Sequence, residues 1–130
     1  MSNVPADLQY TRDHQWVRIE GSTWTCGLTQ FAADQMGDVV FVELAEVDHL
    51  YSNNEACGTV ESAKSVSPLY MPAAGRVVAR NEALVEAPEY VNTDPYGDGW
   101  IFAFTPNQPL DADPLMRADE YEAFIREDED

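Results

Sequence analysis

The segment Val60-Glu61-Ser62-Ala63-Lys64-Ser65-Val66-Ser67-Pro68-Leu69-Tyr70-Met71-Pro72-Ala73-Ala74-Gly75 sets one lysine among small and polar residues, between two β-like runs. The first run extends from Ala56 to Ala63; the second, from Leu69 to Arg80, is broken by Pro72 and bends at Gly75. Ser62, Ala63, Ser65 and Ser67 suit an exposed turn, from which the Lys64 amine is expected to project into water. A Schiff-base lysine needs a desolvated pocket to lower its pKa, and nothing apolar crowds Lys64 at short range. The stretch therefore reads as a hairpin tip that an acyltransferase or ligase can clasp.

Lys64 is the only lysine in the chain; the remaining bases are Arg12, Arg18, Arg76, Arg80, Arg117 and Arg126. Arginine stays charged at any biological pH, whereas a lysine can lose its proton and act as a nucleophile. Two explanations stay open: the lysine is kept for its amine, or a composition that sheds lysine has left one behind.

Outward from this segment the signals are those of short strands. Val17 to Glu20 and Thr23 to Leu28 read as a strand pair joined through Glu20-Gly21-Ser22. Thr29 caps a short helix through Met36, with Leu28, Ala32 and Met36 at helical spacing and Gly37 as its end. Asp38 to Leu44, β-branched and apolar on both faces, looks like a central strand, followed by a polar link from Asp48 to Glu55. Asn81 to Glu86 is compatible with helix or strand, and Asp94 to Gly99 is a dense turn cluster. Trp100, Phe102 and Phe104 share one face of a bulky strand that Pro106 and Pro109 end. Asp113-Pro114 opens an amphipathic helix carrying Tyr121, Phe124 and Ile125 at i, i+3 and i+4.

These elements predict a mainly β fold, a compact sandwich or barrel rather than a βαβ arrangement. One domain over residues 1–130 is expected, with a β core over about 10–112 and a C-terminal helix over about 113–127. No apolar run approaches the roughly 18 residues of a membrane span, and no secretory signal is visible at the start, so a cytoplasmic protein is expected. The balance of 24 acids against 7 bases, a net charge of −17, argues against nucleic acid and anionic membrane as partners. It fits a solvated acidic coat, steering of a partner, or both. Cys26 and Cys57 fit no metal-ligand spacing and read as buried small hydrophobes, with a disulfide left open. His14 and His49 lack companion ligands, so no metal site is expected. Glu43 and Glu46 have no cleft to make them a hydrolase dyad, and no phosphate-binding loop or nucleophile elbow occurs.

Seven stretches in order resemble the glycine cleavage H-protein family over nearly the whole chain. They are H-Q-W-V-R at 14–18, G-D-V-V-F-V-E-L at 37–44, E-S-A-K at 61–64, L-Y-M-P-A-A-G at 69–75, V-N at 91–92, P-Y-G-D-G-W at 95–100 and L-M-R-A-D-E-Y-E-A-F at 115–124. Biotin carriers of the same fold type flank their lysine with methionines, where this chain has Ala63 and Ser65. The resemblance implies a barrel-sandwich hybrid, lipoyl-domain-like, with a short inserted helix and a C-terminal helix. It implies a swinging-arm carrier rather than an enzyme, with no catalytic residues, and lipoic acid covalently attached to Lys64. Glu61 falls where the family's ligase-facing acid lies, Ser62 beside it is expected to serve ligase recognition and the turn, and Asp13, His14 and Gln15 fall where the arm docks.

Such a carrier takes an aminomethyl group from a pyridoxal-phosphate glycine decarboxylase and delivers it to a tetrahydrofolate-dependent aminomethyltransferase. A dihydrolipoamide dehydrogenase reoxidises it, and a lipoate ligase or lipoyl synthase supplies the arm. The chain departs from the family at Gln15, where the motif normally reads H-E-W, and at Pro68, where an acid is often placed. Loss of an acid suited to an ammonium fits an alternative: an H-protein-like lipoate-binding protein carrying sulfur intermediates for a heterodisulfide-reductase-like sulfur oxidation complex.

Overall fold

The computed structural model describes residues 4–107 and 115–129. Two antiparallel sheets enclose the core. In chain order the elements are β1 (Gln9–Tyr10), β2 (Gln15–Glu20), β3 (Thr23–Leu28), α1 (Gln30–Met36), β4 (Val39–Glu43), β5 (Leu50–Tyr51) and β6 (Ala56–Ser62). They continue with β7 (Val66–Tyr70), β8 (Gly75–Arg80), α2 (Ala83–Glu86), α3 (Tyr90–Thr93), β9 (Phe102–Pro106) and α4 (Ala118–Glu129). The larger sheet has the order β1-β2-β3-β9-β8-β5, and the smaller has the order β4-β6-β7. Val17, Cys26, Leu28, Val77, Phe102 and Phe104 from the first meet Val39, Val42, Val60 and Leu69 from the second in one apolar cluster. No described helix is long and apolar enough to cross a membrane.

The β2–β3 pair and the first helix form where the sequence signals place them. Gly21 takes φ 61° in the turn, Thr29 Oγ1 accepts the Ala32 N–H at 3.2 Å as N-cap, and Gly37 takes φ 78° as C-cap. The buried face of α1 is Phe31, Ala33 and Met36, not Leu28, Ala32 and Met36, because the helix is wedged between two apolar clusters. The run from Asp38 is corrected more substantially. β4 is an edge strand of the smaller sheet, and a register shift between Val39 and Phe41 turns consecutive apolar residues outward.

The second run beside Lys64 begins earlier than expected, at Val66, and divides between the sheets. β7 accommodates Pro68 because it is itself an edge strand, and the chain enters the larger sheet at Gly75. The polar link contains β5, Asn81 to Glu86 resolves as α2, and α3 was not foreseen. Pro106 ends β9 from within: only residues 102–104 pair with β3, so its missing N–H leaves no ladder position empty there. The expectation for Pro109 lies outside the described residues.

A second apolar cluster of Leu8, Tyr10, Trp16, Phe31, Tyr121 and Ile125 lies under α4. Trp16 lies against Gly27, where an added Cβ would sit 2.7 Å from the indole nitrogen, so only glycine admits the ring. Its Nε1–H donates to the Pro95 carbonyl at 2.8 Å, anchoring the Asp94–Gly99 turns to β2. The Asp113-Pro114 helix opening lies outside the described residues, and α4 begins at Ala118. Before it, Met116 exchanges two backbone hydrogen bonds of 2.8 Å with Tyr10. The Glu120 carboxylate accepts the Arg117 N–H at 2.9 Å, one half of a capping box.

Candidate functional site: the lysine turn and its cleft

β6 and β7 pair with Val60 opposite Ser67 and Glu61 opposite Val66, which leaves Ser62 to Ser65 to make the turn. The Ser62 N–H donates to the Ser65 carbonyl at 2.8 Å, and Ser62 Oγ accepts the Ser65 N–H at 3.1 Å. Ser62 is only 9% exposed. It is therefore the internal brace of the turn, one of the two roles expected of it. Lys64 is exposed, and its stem passes over the C-terminal end of α1. A Cβ built on Gly37 would lie 3.4 Å from Lys64 Cε and 3.9 Å from Nζ. α1 has no basic residue in its last turn, and the Lys64 ammonium lies beside that end, where a helix favours positive charge. Amide formation at Nζ would remove that attraction and free the stem.

Beside the turn is an open cleft of about 390 Å³. Asp13 and His14 form one wall, Phe31, Ala32, Gln35 and Met36 the floor, and Ser65 and Ser67 the other wall. A floor of α1 side chains under polar walls suits a flexible, mostly apolar arm. The two serines belong to one face of the hairpin; Val66 and Pro68 alternate with them and face away.

The three residues implied for arm docking separate in space. Asp13 is exposed on the cleft rim. His14 adopts φ 65° and lies in the wall, its ring 5.0 Å from that of Phe31 and 5.6 Å from that of Phe124. Its Nδ1 shares a hydrogen bond of 2.8 Å with the Tyr121 hydroxyl, which is also 2.8 Å from Thr29 Oγ1. Gln15 is 1% exposed; its Nε2 donates to the Tyr70 carbonyl at 2.8 Å and its Oε1 accepts the Tyr70 N–H at 2.8 Å. This corrects the docking expectation for Gln15: its amide ties β2 to the edge of β7, as a strand would. Glu61 is half-buried on the opposite face of the hairpin, paired with Phe41 and Val66.

Sequence reasoning missed the cleft floor and Tyr121 as its support. The helix signal was present, but nothing local says that α1 passes under the lysine turn. Cys26 and Cys57 are both free and buried. Burial pushes the Cys57 thiol up to about 12, with Glu55 adding to the shift, and pushes Cys26 well above its ordinary value. Both stay protonated, unreactive thiols at neutral pH.

The model of the family described as glycine cleavage H-protein matches residues 8–128. A glycine cleavage system H protein of Symbiobacterium thermophilum is 51% identical over 127 residues, covering 98% of this chain and 99% of that protein. One from Geobacillus kaustophilus is 48% identical over 125 residues, covering 96% and 98%. The crystal structure of a glycine cleavage system H protein from Mycobacterium marinum superposes with a TM-score of 0.86 at 40% identity, covering 94% of this chain and 98% of that one. The fold is a barrel-sandwich hybrid. These likenesses favour the glycine reading over the sulfur one.

Proposed function

The chain belongs to the glycine cleavage H-protein family, and we propose that Lys64 is the residue on which it bears its lipoyl group. It is a non-catalytic lipoyl carrier of the glycine cleavage system, and that system contains a glycine decarboxylase and an aminomethyltransferase. The observation that carries the assignment is single: a covalently lipoylated carrier needs a lysine, and the only one stands exposed at the tip of the β6–β7 hairpin. The lipoyl group supplies a dithiolane whose ring holds the disulfide far from its preferred dihedral near 90°, so that it opens readily.

The chain's own residues present and shelter the arm. The Ser62 brace keeps the turn in one shape while leaving the Lys64 side chain free. Gly37 leaves room for the stem, and the cleft floored by Phe31, Ala32 and Met36 takes the arm's apolar length. Asp13 on the rim is the carboxylate placed to meet a cationic group at the arm's end; His14 holds the wall. In this reading residues 1–130 act as one carrier unit in a cytoplasm. A dihydrolipoamide dehydrogenase reoxidises the arm, and a lipoate ligase or lipoyl synthase installs it.

Peptide mass mapping of the protein from its native host is expected to find one lipoyl group, on Lys64. Lys64→Arg is expected to keep the fold, carry no lipoyl group and accept no aminomethyl from glycine decarboxylase. A native protein with unmodified Lys64 would overturn the assignment.

A further inference from the structure

Gly37 and Asp38 join α1 to β4, and three parts of the carrier meet at this joint. Met36, just before it, belongs to the cleft floor. Gly37 lies under the Lys64 stem, where an added Cβ would sit 3.4 Å from Cε. Val39, just after it, pairs with Ser62, the brace of the lysine turn. A register shift separates that pair from the rest of the β4–β6 ladder, so the ladder alone does not fix it. The Val39 N–H donates instead to Asn92 Oδ1, at 2.8 Å. Asn92 Nδ2 donates to the Gly37 carbonyl at 2.8 Å and to the Ala33 carbonyl at 3.4 Å. One amide therefore grips the chain on both sides of Asp38. Asn92 is itself held: it is half-buried on α3, which packs against α1, and it follows the fully buried Val91. The grip needs donors and an acceptor on one short side chain, which a carboxylate cannot supply.

We propose that Asn92 is a positioning residue for the lipoyl arm: by fixing the α1–β4 joint it sets the lysine turn over the cleft floor and keeps the loaded arm sheltered. The inference rests on Lys64 as the attachment site and on the cleft as the arm's shelter. The arm is rooted on the turn and lies on α1, so its fit depends on how these two stand to each other. Asn92 does not line the cleft and acts only through the joint.

Asn81 supplies a control of the same chemistry. It is 7% exposed; its Nδ2 donates to the Asp98 and Trp100 carbonyls at 2.7 and 2.8 Å, and its Oδ1 accepts the Ala83 N–H at 3.2 Å. None of these residues lines the cleft.

The test is the rate at which the loaded arm is hydrolysed. The lipoylated full chain is loaded by glycine decarboxylase with glycine, the enzyme is removed, and loss of the aminomethyl group is followed by intact mass. Water adds to the aminomethyl carbon, the carbon–sulfur bond breaks, and thiol, formaldehyde and ammonia are released. Asn92→Ser keeps a hydroxyl too short to span the joint, and Asn81→Ser removes the matching bonds elsewhere; thermal melts check both folds. Hydrolysis is expected to quicken about threefold to tenfold in N92S, the range for loss of a buried hydrogen bond, and to stay at the wild-type rate in N81S. A wild-type rate in N92S, or an equal rise in N81S, would overturn the proposal. The wild type supplies a second measurement that needs no variant. An arm that leans on the joint must stabilise it in return, so loading is expected to slow hydrogen exchange of the Val39 amide at least about threefold. The Ala83 amide, held by Asn81, should not change. Unchanged exchange at Val39 would overturn the proposal even where N92S fails to fold. A wild type that carries nothing on Lys64, or that loses its aminomethyl group as fast as free aminomethyl dihydrolipoamide, removes the attachment or the shelter reading first, and this one with it.

Discussion

The Lys64 turn and the cluster of His14, Thr29 and Tyr121 reach one cleft, through Ser65 and through His14, but are built on opposite principles. The turn is local: hydrogen bonds between Ser62 and Ser65 hold it, its side chains are small, and its functional group stands in water. The cluster is long-range. Residues 14, 29 and 121 meet through one fully buried tyrosine hydroxyl, which couples the start of β2, the cap of α1 and the C-terminal helix. A carrier needs both kinds of construction. The group it presents must change its covalent state without disturbing the fold, so the turn contributes little to stability. The wall that receives the arm must keep its shape, so packing from three distant segments determines it.

The contrast is most exposed to refutation by paired truncations. Tyr121→Ala deletes a fully buried ring that stacks on Tyr10 at 4.7 Å and is expected to cost about 3–5 kcal/mol in urea unfolding. Lys64→Ala, at an exposed position, is expected to stay within about 0.5 kcal/mol of wild type. Similar losses for the two would break the comparison. Tyr121→Phe keeps the ring and removes the hydroxyl alone. Its expected cost is about 1–3 kcal/mol, because the buried groups that met the hydroxyl lose a partner. Hydrogen exchange should locate that loss in α1 and α4 and leave the β6–β7 hairpin unchanged.

The same division decided what was legible in the sequence. The lysine turn, the Thr29 cap, the Gly37 stop and the β2–β3 hairpin are written in residues within a few positions of each other, and all four form as read. Gln15 was misread because its partner, the Tyr70 backbone, is 55 residues away. β4 was misread because an apolar strand at an edge and one at the centre have the same composition; only pairing distinguishes them. The family resemblance supplied the lipoyl function, and no local pattern set Tyr121 behind the cleft wall, bonded to His14.

Alkaline pH probes the core behind the turn. Burial raises the Cys57 thiol from 9.0 to about 12, so below pH 9 folded and unfolded chains both hold the proton. Between pH 9 and 12 only the unfolded thiol ionises; the unfolded chain then binds fewer protons, and stability falls as pH rises. The loss at pH 10 is expected to be about 1 kcal/mol from this group, from the roughly 1.4 kcal/mol carried by each pKa unit. Tyr96, raised by burial from 10.0 to about 12, adds a fall in the same direction from pH 10. Cys57→Ala should lessen the fall in urea midpoint above pH 9 while leaving the part due to Cys26, whose thiol burial also raises, and an unchanged slope in that variant would assign the alkaline loss elsewhere.

The smallest effect expected is that of salt, and it separates the two regions again. α4 carries Asp119, Glu120, Glu122 and Glu127 against Arg126, in a chain of net charge −17, whereas the turn from Ser62 to Ser65 has no acid. Raising ionic strength from 0.1 to 1 M shortens the screening length from about 10 Å to about 3 Å and weakens repulsion among those acids. A gain of about 0.2–1 kcal/mol is expected, the size of exposed charge interactions. Amide exchange in α4 should slow and that of the hairpin should not. A uniform response would mean that charge acts on the fold as a whole; a fall in stability would mean that the few arginine pairs, such as Arg126 with Glu122 at 3.8 Å, outweigh the repulsion they sit among.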